Sequence, residues 1–543
     1  YAANSKSSNL QNLYDSYIRA FRWAGQRIGD AGVMAFVSGS AWIERSFAEG
    51  MRKCLTEEFS DLYVFHLRGD IRKNMLSKGA AREGQNVFAS SSMTGISIAI
   101  LVKNPAASEH GHIHFHDIGP DLTTTQKLNI IRDFSSIDGI TKSSGWSTIK
   151  PDENNDWLDQ VDRSFEKFIE IGNKKNADEI GVFKNYSLGI ASSRDAWVYN
   201  SSKVKLRGNV ERSINFFNSE QDRVGDAKNV DVKKSVTFDA KFISWNDSLL
   251  KDLADGKVAS WDDGFTIASM PRPFQKQWFY FSKMFNQRRY QMPRLFPSPE
   301  TENKFIQIAG VGARAGFSVL MSNRITALDT IEKGQCFPLY LYEDRKPDEG
   351  LFATGEDQAT GLTRRDAITD EGLSHFQAAY QRQEITKEDL FYYIYGLLHS
   401  PEYRTRYANN LAKALPRIPA VKSFTDFAAF RDAGRALGDL HVNFETVDPY
   451  MVTFKEGDHN LINEAQDDPV KFYRVKHTTK WKWGGKGKEK DKTTVIYNDH
   501  ITMENVPLEA YDYVVNGKPA LEWVMERQVV KQDKASGIVN DAN

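Results

Sequence analysis

Three apolar runs decide the fold of the N-terminal part of this chain: GVMAFVS at Gly32–Ser38, DLYVFHL at Asp61–Leu67 and TGISIAILVKN at Thr94–Asn104. Each is rich in β-branched or aromatic residues and shorter than an ordinary helix, so each reads as a core strand. Between the first two lies SAWIERSFAEGMRKCLTEEF, in which Phe47, Met51 and Leu55 recur at helical spacing. Ahead of them, Leu13, Tyr17, Phe21, Ala24 and Ile28 share one helical face, and GDAG ends that helix. The order is helix, strand, helix, strand, long polar loop from about Arg68 to Ser92, strand. This alternation predicts an α/β sheet whose long loop sits at a strand end, where such folds place ligands.

Working outward, 543 residues predict more than one folded unit, about three to four on the usual length prior. With 40% hydrophobic and 12% aromatic residues the chain can build cores, and fibrous or bulk-disordered classes are excluded. Two cysteines, Cys54 and Cys336, make no disulfide framework, and a reducing cytosol is the expected compartment. The longest apolar runs fall well short of the roughly 20 residues that span a bilayer, so no membrane partner is expected. A net charge of −1 means that any nucleic-acid surface must come from local segregation of the 71 basic side chains. The chain opens at Tyr1 without a methionine and stops at VNDAN, which reads as an internal piece of a longer polypeptide.

Beyond Val102, His110, His112, His114 and His116 alternate beside Asp117, a pattern that resembles metal ligation. Alternate residues of one strand stand about 7 Å apart and do not converge on an ion, so the expectation is no metal. Ile113 and Phe115 should point inward from a solvated histidine face. From about Pro151 to 181 a polar stretch reads as a helical connector. From there to the C-terminus the chain is punctuated by arginines beside aromatics. Arg272, Lys276, Lys283, Arg288, Arg289 and Arg294 interleave with Phe274, Trp278, Tyr280 and Tyr290. That mixture suits phosphate contact and stacking. It equally suits a half-buried strand pair with core aromatics and outward basic side chains. Arg194 and Arg314 lie in small-residue loops from which a guanidinium could reach a groove.

FIQIAGVGARAG carries GxGxxA with Asp329 about twenty residues on, the nominal dinucleotide fingerprint. GFSVLMS comes next and reads as a strand, so the helix N-terminus that phosphate needs is lacking and an oxidoreductase is disfavoured. KWKWGGKGKEKDKTTVIY, with Lys482 between Trp481 and Trp483, predicts a hairpin with a basic tip, suited to phosphate or to blocking edge aggregation. Residues 384–415 read as helical with Leu390, Ile394, Leu397 and Leu398 inward and their tyrosines packed, and LEWVMERQVV reads as a short helix of no assigned role.

NLYDSYIRAF, GVMAFVSGSAWIERSFAEGMRKCL, then GQNVF followed by TGISIAILVKN resemble, in order and spacing, the later motifs of γ-type adenine-N6 DNA methyltransferases. IASSRDAWVYN, MPRPFQKQWFYFSKMFNQRRYQMPRLFP and DLFYYIYGLLHSPEYRTRYANNLAKALPRIP resemble the C-terminal target-recognition region of Type ISP restriction-modification enzymes. The resemblance implies the distal half of a Rossmann-like methyltransferase sheet over residues 1–150, a connector over 151–181 and a mixed α+β target-recognition domain over 182–543. It implies double-stranded DNA as partner, with no RNA, and S-adenosylmethionine as methyl donor. ATP and Mg are implied only for translocase and nuclease domains upstream in the same polypeptide. The family's Pro-Pro reactive loop and cofactor glycines precede the LYDSYIRAF-like helix and do not occur here, so no catalytic residue is assigned in this chain and most of the cofactor site is expected outside it.

Phe88 falls where the family places an aromatic that stacks on an extruded adenine; it also reads as an apolar plug at a strand end. The DNA-binding residues expected are Arg194, Arg272, Lys276, Arg288, Arg289, Arg314 and Lys482. The alternative is a recognition module on a degenerate methyltransferase scaffold.

Overall fold

The computed structural model describes residues 1–5, 10–76, 82–88, 92–173, 180–224, 231–344, 361–381, 383–455, 457, 467–478, 480–485 and 490–543. Parts of the long polar loop, of the polar connector and of the lysine-rich hairpin tip lie outside the described residues. The chain forms two units, Tyr1–Asp162 and Arg163–Asn543.

The first unit is built on β1 (Gly32–Gly39), β2 (Asp61–His66), β3 (Ile96–Lys103), β4 (His112–Asp117) and β5 (Ser147–Ile149). They lie in the order β1-β3-β2-β4-β5. β3 is antiparallel to both β1 and β2, and β2 is parallel to β4, so the carboxyl ends of β1, β2 and β4 share one edge. The register places Met34, Leu101, Leu62, Ile113 and Ile149 in one row across all five strands. This face packs on Phe21, Trp42, Met51 and Leu55, and the opposite face packs Phe65, Ile96 and Ile118 under the helices Thr124–Phe134 and Ile137–Lys142.

Three local expectations are corrected. The first helix runs Ser16–Arg27 after a 3-10 turn, with Ile18, Phe21 and Gly25 buried while Tyr17, Ala24 and Ile28 sit at the rim of the core. The second breaks into Ala41–Glu44, a turn at Ser46–Ala48 and Glu49–Glu58. The break coincides with the fully buried Arg52, whose guanidinium donates to the carbonyls of Trp42 at 3.0 Å and Arg45 at 2.8 Å and pairs with Asp156. Among its described residues the connector is irregular through Asp162 and then forms a 3-10 turn at Arg163–Lys167 and a short strand at Ile169–Glu170. Asp152 Oδ1 accepts from the amides of Asn154 and Asp156, both at 2.9 Å, a local alternative to helical bonding.

The histidine strand forms with Ile113 and Phe115 inward, but its other face is not simply solvated. His114 stacks on Tyr63 at 4.4 Å, and His116 packs against Phe65, Phe134 and Trp146 while its ring bonds the Gly145 carbonyl at 2.6 Å. Among the described residues no three His, Cys, Asp or Glu side chains form a metal-holding group, and no helix is long and apolar enough to cross a membrane.

The second unit gathers most of its apolar residues into one large core. The hairpin Thr266–Arg272 and Gln275–Tyr280 is flanked by Tyr199–Asn200 and Ile325–Thr326. A second sheet joins Phe305–Ile308 to Val319–Ser322, Gln335–Pro338 and Ser187–Leu188. The GxGxxA segment is thus a turn between two strands, as its sequence predicts. The 384–415 region is three helices, Lys387–His399, Pro401–Arg406 and Ala408–Lys413. The first packs on Phe424–Val442 so closely that a Cβ on Gly396 would lie 2.1 Å from the Phe430 carbonyl oxygen. Beside that crossing, buried His441 and Tyr395 pack with half-buried His399 and Tyr513: Tyr395 Oη bonds His441 Nδ1 at 2.5 Å, and His399 Nε2 lies 3.3 Å from Tyr513 Oη. Burial lowers both imidazoles, His399 to about 3 with Arg404 adding to the effect, and His441 to about 4.

Two outcomes are expected. Asp156→Ala leaves the Arg52 guanidinium buried without its carboxylate and should cost about 3–5 kcal/mol in chemical denaturation, whereas a cost below about 1 kcal/mol would show that this pair does not hold the unit. For His399 and His441 the unfolded state binds protons below pH about 6.5 and the folded state does not. Stability is therefore full above that pH and falls by up to about 1.4 kcal/mol per group per pH unit as pH drops toward 4. His441→Asn should flatten the acid limb of melting temperature against pH; an unchanged limb would refute the assignment.

Candidate nucleic-acid interface

At the shared carboxyl edge of β1, β2 and β4, the ends of β2 and β4 and the helix after β1 meet in one ionic cluster. His66, at the end of β2, lies 3.1 Å from Glu44 and 3.7 Å from Asp117, the last residue of β4. Burial alone would lower this imidazole, but the neighbouring carboxylates of Asp117 and Glu44 outweigh it and raise the group to about 8. Arg68 Nε donates to Asp117 at 2.7 Å and Lys73 Nζ to Glu44 at 2.5 Å. Lys127, fully buried, donates to the carbonyls of Leu67 at 2.7 Å and Glu83 at 3.0 Å, and burial lowers its ammonium to about 8.

The loop carrying Phe88 rests on this edge. Gly69, at φ 89, donates its amide to the Glu83 carbonyl at 3.1 Å. Gly84, at φ 66, passes so close to the chain that a Cβ there would lie 2.4 Å from the Leu122 carbonyl oxygen. Only glycine meets both demands. Phe88 itself is 53% exposed, so it is no interior plug. An aromatic face on a pinned backbone at a strand edge can stack on a planar ring.

In the second unit a cleft of about 610 Å³ is lined by Lys480, Trp481, Lys482, Trp483, Lys490 and Lys531. Trp481 and Trp483 meet edge to face at 5.2 Å, with the Lys490 ammonium 4.7 Å from the Trp483 ring centroid. The cleft is framed by the hairpin strands Lys482–Gly484 and Asp491–Ile496 and by the C-terminal end of the Ala520–Gln528 helix. Arg272, Lys518, Arg527 and Lys531 stand near enough that, after burial, the lowering of the Lys531 ammonium is due to the other three cations, partly opposed by Glu526. A positive concavity with aromatic walls suits a polyanion carrying planar rings.

Of the residues selected from sequence, Lys482 and Arg288 are exposed. Arg314 is two-thirds exposed in its glycine-flanked loop, with Nε donating to Glu332 at 2.7 Å. Arg272 pairs with Asp195 at 3.3 Å and Lys276 with Glu445 at 2.9 Å. Arg289 folds back on the Phe281 ring and donates to its carbonyl at 3.1 Å. Phe274 and Tyr280 are core residues, so for these aromatics the strand-pair reading of the 270–290 segment holds.

Arg194 is a correction. It is 4% exposed, its Nε donates to the Ser244 carbonyl at 3.1 Å, and burial lowers its guanidinium to about 10. The turn at Ser192–Asp195, with Ser193 at φ 58 and Ser192 bonded to Asp195, directs the side chain inward, away from any groove. Lys518, Arg527 and Lys531 were missed because the sequence shows them as scattered charges on a short helix and its flanks, about 250 residues from Arg272. Their only local signal is the alternation of basic residues with Trp523 and Val529, which amphipathic helices share.

The family-model match falls within the second unit. The family model for the Type ISP C-terminal specificity domain matches residues 181–543. Three solved structures align over nearly the whole chain. The ATP-dependent Type ISP restriction-modification enzyme LlaBIII bound to DNA is 34% identical over 100% of this chain and 33% of its own, with TM-score 0.76. A nuclease-deletion mutant of the Type ISP enzyme LlaGI in complex with a DNA substrate mimic is 36% identical over 100% of this chain and 46% of its own, with TM-score 0.75. The DrdV–DNA complex is 29% identical over 99% and 49%, with TM-score 0.74. Comparison with curated protein sequences gave no match. The chain belongs to the Type ISP restriction-modification family and carries its C-terminal specificity domain, while spanning between a third and half the length of these solved relatives.

Proposed function

We propose that this chain recognises a specific duplex DNA site and presents one adenine, rotated out of the helix, for N6 methylation within a longer Type ISP polypeptide. The observation that carries the reading is the exposed Phe88 ring on a backbone fixed at the carboxyl edge of the first sheet. The amine of a paired adenine is inaccessible in the stack, and extruding the base costs a few kcal/mol. Stacking on an aromatic returns about 1–3 kcal/mol per base, which favours the extruded state without reading sequence. Phe88 holds the ring and takes no part in bond making.

The methyl donor in this reading is S-adenosylmethionine. The chain contains no Pro-Pro pair to frame the adenine amine, and the family's cofactor glycines precede the segment present here. We therefore assign cofactor binding chiefly to sequence outside this chain and route no step through it. ATP-dependent translocation with Mg and DNA cleavage are likewise assigned to other domains of the polypeptide; one solved relative is described as ATP-dependent and another as a nuclease-deletion mutant. In the second unit, Lys482, Lys490 and Lys531 neutralise phosphates, joined by the exposed Arg288 and Arg314. A bacterial cytoplasmic setting accords with this role. The reading of the first unit as an inert scaffold would gain support if the intact polypeptide bound its site but transferred no methyl group.

Phe88→Ala in the intact polypeptide should lower single-turnover methylation about 10- to 100-fold with duplex affinity unchanged. Unaltered methylation would remove the base-platform role. The double variant Lys482→Ala, Lys531→Ala should weaken binding to all duplexes alike and reduce the slope of log K against log salt by about one to two. A slope equal to that of the wild type would exclude the cleft from the DNA surface.

A further inference from the structure

We infer that Asn86 is the positioning residue for the base platform, fixing Phe88 through three hydrogen bonds that close the loop at its neck; this rests on the proposed role of Phe88. Asn86 is 1% exposed. Its Nδ2 donates to the Gly69 carbonyl at 3.0 Å and to the Thr94 carbonyl at 2.7 Å, and its Oδ1 accepts from the Phe88 amide at 2.9 Å. Gly69 opens the loop behind β2 and Thr94 closes it ahead of β3, so one carboxamide ties both stems to the backbone of the aromatic between them. The amide group is filled on both ends, two donations and one acceptance, which neither a carboxylate nor a hydroxyl can reproduce.

A second set of contacts holds Asn86 itself. Thr124 Oγ1 donates to the Asn86 carbonyl at 2.8 Å, and the Gln85 amide donates to the Leu122 carbonyl at 2.8 Å. Gln85 Oε1 accepts from the Thr124 amide at 3.0 Å. The 84–88 segment is therefore anchored on the loop stems on one side and on the start of the Thr124–Phe134 helix on the other. Beneath it, the Lys127 ammonium bonds the Leu67 and Glu83 carbonyls and fixes the two strands of chain from which the neck is made. An ordered backbone under an exposed ring means that little entropy is lost at the platform when a base arrives. Releasing the carboxamide would leave the ring present but its plane unfixed.

The test uses the intact polypeptide and a duplex with 2-aminopurine at the target adenine, the target being located first by mapping methylated positions. Asn86→Ala removes all three bonds. Asn86→Asp is nearly isosteric and keeps an oxygen toward the Phe88 amide, but it cannot donate to the Gly69 and Thr94 carbonyls. Both variants should bind the duplex with wild-type affinity, show at least about a fivefold smaller rise in 2-aminopurine fluorescence and lower kcat with KM for DNA unchanged. If Asn86→Ala fails to fold, Asn86→Asp decides. Wild-type fluorescence in a folded Asn86 variant, alongside a lost signal in Phe88→Ala, overturns the inference and leaves the platform standing. A full signal in Phe88→Ala overturns the platform itself, and this inference with it.

Discussion

The His66 imidazole, held between the carboxylates of Glu44 and Asp117, is the constraint from which the carboxyl edge of the first sheet hangs. Buried carboxylates need partners, and here they come from the chain just after β1 and from the end of β4, while the imidazole between them comes from the end of β2. The three carboxyl ends are therefore fixed relative to one another by electrostatics as well as by backbone ladders. Arg68 and Lys73 extend the same network into the loop, so the start of that loop is ordered by the charges that order the sheet edge. Glycines at Gly69 and Gly84 then let the chain double back within contact of itself, and Phe88 emerges from a segment that has almost no freedom left.

The second unit solves a different problem. Its tyrosines and phenylalanines are largely spent on the core, as the helix Lys387–His399 illustrates with every residue from Leu390 to Leu398 buried. Basic side chains are consequently excluded from the interior, with Arg194 an exception, and they collect where elements distant in sequence meet. Arg272 leaves the central hairpin, while Lys518, Arg527 and Lys531 flank or end the last helix. Many of these cations are tied to a carboxylate, as Arg272 is to Asp195 and Lys518 to Glu526. Both of these cations are half-buried, Arg272 at 28% and Lys518 at 19% side-chain exposure, so each is neutralised within the unit.

Much of the first unit was legible in sequence because strand signals are local. GVMAFVS, DLYVFHL and TGISIAILVKN fold as β1, β2 and β3, and the long loop falls at a strand end. The features that were not legible depend on partners far along the chain. The helix after β1 is interrupted where the guanidinium of Arg52 takes two of its carbonyls, and no pattern within Ser40–Phe59 announces that the charge will be satisfied by Asp156. The histidine strand was placed correctly, yet its second face could not be read as packed without knowing that Tyr63, Phe134 and Trp146 cover it. Arg194 shows the same limit in reverse: a loop of small residues reads as surface, and only the turn at Ser193 reveals that it points inward. Asn86 stood in plain view inside GQNVF, but a carboxamide declares its role only when both donors and its acceptor have found partners.

In the proposed function, stacking by Phe88 and phosphate neutralisation by the basic cleft would divide the work of binding along a physical line. The first is short-ranged, insensitive to salt and blind to which base is presented, since every base has a π-face. The second is long-ranged, weakened by salt and blind to sequence altogether. Neither can discriminate one site from another, so discrimination has to come from hydrogen bonds to base edges or from the energy of deforming the duplex. A side chain that reads a base edge must carry donors that can reach the groove. That condition disfavours Arg194 and Arg289, whose guanidinium groups are folded into the unit, and favours cations such as Arg288 that stand exposed at its surface. In the proposed function, recognition would therefore rest on the basic residues that stand exposed rather than on those folded into the core.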